Sequence, residues 1–475
     1  MTTLIAGPFN RVEGDLEIAL DIADGRVTAA RVNSPLYRGF ERMLIGKDPR
    51  DALTITPRIC GICSISQSAA AALALADLAG AEPAPMGAQA TRLLHAVENV
   101  SDHLTHFNVF FMPDFARPEY AGRPWHARAV ERFTAARGGA VRAAIEARAR
   151  LLHIVGLLGG KWPHTLAIQP GGATRAPTLR DRVRIEADLR AFRRYLETHL
   201  FGAPLEDFAA LSTPEALAAW STGDAALFLE IAEDLSLATL GRGAGRFLSF
   251  GAYPGPGGPA FARGTWTPEG PATLDPAQIL EDTSHAWMLG APAHPFDGDT
   301  APDEEMRESA YSWCKAPRLS GLPYETGALA RQAVHGHPLA RALAARGGDV
   351  HARVAGRLLE IALTQLLLED WARRLDPAAP YMRHVRLPSE GRGAGLVEAA
   401  RGALGHWIRV EDGRIAGYQI VAPTTWNFSP RDASGTPGPC EAALVGAAAP
   451  ADQPTPLAVQ HVVRSFDPCM VCTVH

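Results

Sequence analysis

Four cysteines stand in two Cys-x-x-Cys pairs, Cys60/Cys63 in RICGICSISQ and Cys469/Cys472 in DPCMVCTVH. The pairs are 406 residues apart (469 minus 63). Brought together they form a tetrathiolate set, which favours soft or borderline transition metals over hard cations and leaves zinc, iron–sulfur or nickel–iron as the chemistry. Six cysteines in 475 residues are too few for a disulfide scaffold. The spacing points instead to metal or redox work in a reducing compartment, which is read as the cytoplasm.

The other bulk numbers narrow the class. With 47% hydrophobic residues the chain can bury a large core, and its length alone would suggest two or three domains. A site joining residues 60 and 472 argues for fewer, so 1–475 is expected to be one domain. A net charge of -5 and a pI near 6.4 give no polybasic footprint, which excludes nucleic acid and anionic membrane as expected partners and leaves protein. The start, MTTLIAGPFNRVEG, has no basic segment followed by an apolar run, and no run of about 18 apolar residues occurs anywhere. Neither a signal peptide nor direct membrane insertion is expected.

The elements that must position the cysteines are mostly helices. SISQSAAAALALADLAG, from Ser64 to Gly80, is a strong helix former with a glycine stop. It places Cys60 and Cys63 at a helix N-terminus, where thiolates are stabilised. In the next segment Leu93, Val97, Val100, Leu104, Phe107 and Phe111 form an apolar helical stripe. A second row, His95, Asn99, Asp102, His106 and Phe110, is mostly polar and is expected to face the metal site. Residues 127–158, 178–198, 223–239 and 350–375 also read as helices, the last stopped by Asp376-Pro377. Alternation around Asp24-Gly25 and around Asp412-Gly413 predicts two β-hairpins, while the Gly/Pro-rich stretches 251–272 and 291–303 read as loops. The fold expected is therefore mainly α with small β elements (α+β), a central long-helix bundle whose N- and C-terminal segments meet at a buried metal site.

RVEG (Arg11 to Gly14), RGFE (Arg38 to Glu41), RICGIC, YSWCKAPR, RGALGHW, YQIVAPTTWNFSPRD and DPCMVCTVH occur in the order found in nickel–iron hydrogenase large subunits. The chain resembles that family over nearly its whole length. The resemblance implies a nickel–iron centre with cyanide and carbon monoxide on iron, Cys60 and Cys469 terminal on nickel, and Cys63 and Cys472 bridging. It further implies heterolytic H2 cleavage with Glu13 as the proton acceptor, since splitting H2 requires a base nearby. Arg401 would hang over the open metal position, with Asp102 and Asp467 as its carboxylate partners, and Thr424 would offer a hydroxyl to an iron-bound cyanide. Glu41, the backbone carbonyl of Ile420 and His475 would hold a harder cation, Mg2+. The partner implied is a small subunit carrying iron–sulfur clusters. Cys314 and Cys440 read as buried free thiols, and His164 and Lys315 as packing or hydrogen-bonding residues.

Several positions depart from the family pattern. Gln67 stands where a histidine is usual, Ala400 where a proline is common, and Ile62 and Phe110 are bulkier than the usual valine and leucine at the end of the gas tunnel. Members of the family commonly continue past the final histidine with a segment that is cleaved after metal insertion, whereas this sequence stops at His475. Gln67, Ile62 and Phe110, with the missing extension and the short length, resemble the regulatory, H2-sensing branch, which tolerates O2, turns over slowly and communicates with a sensor histidine kinase. An energy-conserving uptake hydrogenase is the second expectation, and a structural tetrathiolate zinc protein a remote third.

Overall fold

A computed structural model describes residues 2–255 and 257–475. The N-terminal sheet pairs strands Thr2–Ala6, Glu17–Ala23 and Arg26–Asn33 in an antiparallel meander. Its tight turn lies at Asp24-Gly25, both residues at positive φ (51° and 68°), as the sequence predicts. The matching turn at Asp412-Gly413 (50° and 71°) joins strands Gly402–Glu411 and Arg414–Val421, to which Gly391–Ala399 adds a third.

Helices fill the middle. Ser64–Leu78 forms as expected with Cys63 as its N-cap residue, and Pro85–Thr105 runs on through a π turn, His106–Phe111, which carries the last two members of the apolar stripe. Val350–Arg373 ends just before Asp376-Pro377. Two expected elements differ. The helix read over 127–158 is two helices, His126–Phe133 and Gly139–Gly159, because the chain turns away at Thr134. A Cβ on Gly138 would lie 2.2 Å from the Arg132 carbonyl oxygen, so the break has a glycine where the backbones touch.

The stretch 251–272, read as a loop, belongs to a three-stranded sheet made of Phe247–Gly255, Gly258–Thr267 and Gly270–Ala272. Its AFARGTWT segment buries Phe261 and Trp266, and these aromatic residues with the β-branched threonines outweigh the glycines and prolines gathered at its turns. By contrast, residues 291–303 do lack a regular element beyond isolated bridges.

Two contacts set the site. Strand Gly391–Ala399 lies directly on helix Ser64–Leu78: a Cβ on Gly395 would come within 1.9 Å of the Ala70 carbonyl oxygen, so the pair packs backbone to backbone. This fixes the hairpin turn at Ala400-Arg401 relative to the helix that starts after Cys63. The chain's two ends then close the site. Glu13 bridges Cys469 in parallel, with the Met470 N–H donating to the Glu13 carbonyl at 2.6 Å. One continuous hydrophobic core runs from Ala6 to Cys472. No helix among the described residues is long and apolar enough to cross a membrane.

Candidate metal centre

The two cysteine pairs meet. The Sγ atoms of Cys60, Cys469 and Cys472 lie within 4.8 Å of one another, and Cys63 joins them 3.2 Å from Cys472. Cys60 and Cys469 are 3.6 Å apart, far beyond the roughly 2.05 Å of a disulfide. All four are buried. Hydrogen bonds from Cys469, Cys472 and Cys63 pull the Cys60 thiol well below its ordinary range, whereas Cys63 and Cys472 are driven up, Cys63 by its contact with Cys469 and Cys472 by burial. Four sulfurs so crowded cannot all ionise unaided, which is the condition a soft cation relieves. The donor set therefore fits nickel with a second metal sharing two of the sulfurs, and by itself would also fit zinc.

Around the sulfurs stand the charged residues expected from the sequence. Arg401 donates from Nη1 to Asp102 Oδ2 (2.5 Å), from Nη2 to Asp467 Oδ1 (3.1 Å) and from Nε to the Asp467 carbonyl (2.7 Å). Burial alone would favour its neutral form, but Asp102 and Asp467 outweigh burial, and the charges of Cys469 and Cys60 add to the effect. Two carboxylates share this one guanidinium. Asp467 stays below the ordinary range because Arg401 overcomes its burial, while burial and the Asp467 charge push Asp102 up to about 7 despite Arg401. Half-buried Glu13 is raised by burial first and then by the Cys60 charge. Thr424 accepts the Cys469 N–H at 3.1 Å, which leaves its own hydroxyl hydrogen free to donate.

A second cluster of buried polar groups gathers around Glu41 and His475. Glu41, Glu281, Lys315, Thr300, Ile420 and His475 line an enclosed cavity of about 10 Å³, about the space of one small occupant. Burial raises the Glu41 carboxyl to about 7, and His475 is held neutral at about 3 with Nε2 buried and without a partner. Glu281 also keeps one oxygen free. A buried carboxylate and an unpartnered imidazole fit a divalent cation, which would keep the carboxylate ionised. Lys315, expected only to pack or hydrogen-bond, reaches Glu281 at 2.7 Å and Gln419 at 2.5 Å.

The polar row on helix Pro85–Thr105 divides. Asp102 enters the metal site, but Asn99 donates to the Tyr253 hydroxyl (3.0 Å) and the Glu398 carbonyl (2.9 Å), His106 lies 2.7 Å from the Arg464 carbonyl, and His95 lines a separate cavity. Cys314 and Cys440 are buried free thiols that burial drives up. His164 hydrogen-bonds the Pro57 carbonyl at 2.9 Å.

Three residues escape the sequence reading. Glu281 lies in a strand, Ile279–Asp282, with no motif around it. Glu98 accepts the Ile65 and Ser66 N–H groups at 2.8 and 2.9 Å, so it satisfies the start of the helix that follows Cys63. Arg331, fully buried, binds the carbonyls of Ala399 and Ala400. Arg331 alone carried a signal, a lone charge in the apolar helix ALARQAVH.

Comparison with known proteins decides the family. The model of the nickel-dependent hydrogenases matches residues 38–121 and 142–475. The chain belongs to this family. It is 30% identical to the periplasmic [NiFeSe] hydrogenase large subunit of Desulfomicrobium baculatum, covering 98% of this chain and 94% of that one. Hydrogenase-2 large chain of Escherichia coli K12 is 27% identical over 98% and 96%. Among solved structures, the Ni-Fe-Se hydrogenase of D. vulgaris Hildenborough in the reduced state superposes with a TM-score of 0.86 at 28% identity over the full length of both chains. A reduced, active form from Desulfomicrobium baculatum gives 0.87 at 27%, again over both full lengths. This hydrogenase large subunit therefore has the α+β fold of its relatives.

Proposed function

We propose that the chain is the catalytic large subunit of a regulatory nickel–iron hydrogenase that cleaves H2 heterolytically and serves H2 sensing. The observation that carries the catalytic part is the buried cluster of four thiols beneath the Arg401–Asp102–Asp467 triad, with Glu13 beside Cys60. Cys60, Cys63, Cys469 and Cys472 would hold the nickel–iron centre, and Glu41, His475 and the Ile420 carbonyl would hold Mg2+. When bound, the bimetallic centre, with cyanide and carbon monoxide on its iron, supplies the redox and Lewis-acid chemistry that makes H2 acidic.

The protein's own residues do the rest. Glu13, whose pKa is raised by burial and by Cys60, takes the proton and passes it outwards from its half-exposed position. Arg401 places a fixed positive charge over the reacting position without reorganising, because both of its carboxylates are already hydrogen-bonded. Thr424 orients its hydroxyl by accepting the Cys469 N–H. Electrons pass to an iron–sulfur small subunit docked on this chain in a cytoplasmic heterodimer, and residues 1–475 of this chain work as one large-subunit domain.

Support for the sensing role comes from the departures in sequence. Gln67 is buried and holds His406 Nε2 at 2.7 Å, while His406 Nδ1 meets the Tyr418 hydroxyl at 2.8 Å. An amide at this place can hydrogen-bond but not titrate. Partly buried Ile62 and Phe110 narrow the approach of gases, so the larger O2 enters more slowly, and a histidine kinase would read the signal. The second reading, an energy-conserving uptake enzyme, is favoured by relatives named as uptake and periplasmic hydrogenases.

An infrared spectrum of the purified heterodimer under H2 and then air tests the catalytic reading, with bands from iron-bound cyanide and carbon monoxide expected. A spectrum without them, beside zinc in metal analysis, would overturn it. Gene loss separates the two roles: a sensor's loss silences expression of other hydrogenases, whereas an uptake enzyme's loss abolishes growth on H2 directly.

A further inference from the structure

Arg331 lies in helix Ala328–His335 with no exposed surface. Its five N–H groups are all engaged. Nη1 donates to the Ala399 carbonyl (2.7 Å) and Glu398 Oε2 (2.8 Å), Nη2 to the Ala400 carbonyl (2.9 Å) and Glu360 Oε1 (2.6 Å), and Nε to Glu360 (3.0 Å). Ala400 and Arg401 are the two central residues of the hairpin turn between Ala399 and Gly402. The guanidinium thus grips consecutive carbonyls of the turn that carries Arg401. Glu360 Oε1 is also 3.0 Å from Nε2 of His103, the residue after Asp102 in its helix.

We infer that Arg331 is a positioning residue for the reaction: one buried guanidinium registers both the turn that presents Arg401 and the helical turn that presents Asp102. The Ala399–Gly402 pair closes the turn, and the guanidinium adds a hold on the carbonyls of Ala399 and Ala400 from outside the hairpin. Two carboxylates, Glu360 and Glu398, hold the guanidinium in turn. Because the reacting position tolerates little displacement, a slack turn lowers the rate while leaving the metals bound.

This inference rests on the functional reading above. Its test uses the purified, metal-loaded heterodimer with Arg331→Lys, Glu398→Gln and the double variant Arg331→Lys/Ala400→Pro, each measured for nickel content, kcat, KM for H2 and the crystallographic position of Arg401. Lysine presents its donors from one point and cannot span both carbonyls. Proline at the first central position stiffens the turn by a different route. In Arg331→Lys, kcat is expected to fall about 10-fold with KM within about two-fold and nickel retained, Arg401 is displaced from Asp102, and Ala400→Pro returns at least about half of the rate. Glu398→Gln keeps its shape but turns an amide N–H towards one of two donors, Arg331 or the Phe250 N–H, and kcat falls about three-fold. Unchanged kcat in either variant, or loss of activity in step with nickel while Arg401 stays in place, overturns the inference. Should Arg331→Lys fail to assemble, Glu398→Gln decides alone. A wild-type enzyme without H2 turnover defeats the functional reading, whereas an active wild type beside an equally active Arg331→Lys defeats only this one.

Discussion

Arg401 Nη1 lies 2.5 Å from Asp102 Oδ2, although the two residues are 299 apart in the chain. The pair is buried and Asp467 completes it, so the guanidinium is a preorganised charge whose fork matches carboxylates on two sides. Arg401→Lys keeps the charge but loses the fork. Its kcat should fall on the order of 100-fold, equivalent to about 2.7 kcal/mol of transition-state stabilisation. Steady-state H2 oxidation at saturating acceptor checks this, and a loss under about threefold would remove Arg401 from the reaction.

Glu13 is the only carboxylate placed against the cysteine loop through a backbone bridge to Cys469, among the described residues. Glu13→Gln preserves its shape and removes its proton affinity. H2 oxidation should drop at least about 100-fold, with nickel retained. Isotope exchange between D2 and water reads the same step without the electron acceptor, and exchange at the wild-type rate would point to a different proton route.

A divalent cation in the cavity beside Glu41 and His475 would couple metal to stability. Glu41→Gln should lose the divalent ion, as measured by elemental analysis, and lower the melting temperature. For the wild type, a free cation at about 100 times its Kd contributes about 2.7 kcal/mol, which a chelator should abolish. A chelated wild type that melts unchanged would leave the cavity without a metal role.

Glu360 sets an acid limit. Burial alone would raise its carboxyl, but Arg331 and His103 outweigh burial and hold it down at about 2. A depressed pKa stabilises the fold above the unfolded value of 4.5, and that contribution is lost as pH falls from 4.5 through 2. The full difference is worth about 3 kcal/mol. The gap in thermal midpoint between wild type and Glu360→Gln should therefore narrow as pH drops from about 5 to about 3. A gap independent of pH would contradict the assignment.

Ile62→Val with Phe110→Leu should speed inactivation by air while leaving H2 turnover under anaerobic conditions at or above the wild-type rate. A time course of activity after exposure to O2 checks it. Inactivation no faster than in the wild type would remove Ile62 and Phe110 from any control of O2 entry.

The site was largely legible because its residues come from short motifs whose types are set by chemistry. Cys60, Cys63, Cys469 and Cys472 point to metal or redox work by their spacing, and the Asp-Gly turns announce hairpins by their demand for positive φ. Residues 251–272 misled because glycine and proline at the turns of a short sheet look like a loop until the aromatic and β-branched residues around Phe261 and Trp266 are weighed. Glu281, Glu98 and Arg331 were hidden for another reason: each meets its partners only through tertiary contact. The π turn at His106–Phe111 left no sequence mark either, since its residues suit an ordinary helix equally well.

The parallel bridge from Glu13 to Cys469 has a consequence for biosynthesis. The catalytic pocket cannot assemble before Cys469 and Cys472 have been synthesised, because they supply two of its four sulfurs. Until Cys472 is made, Cys60 and Cys63 are only half of the nest. A chain cut short anywhere before Cys469 would therefore be unable to make its centre.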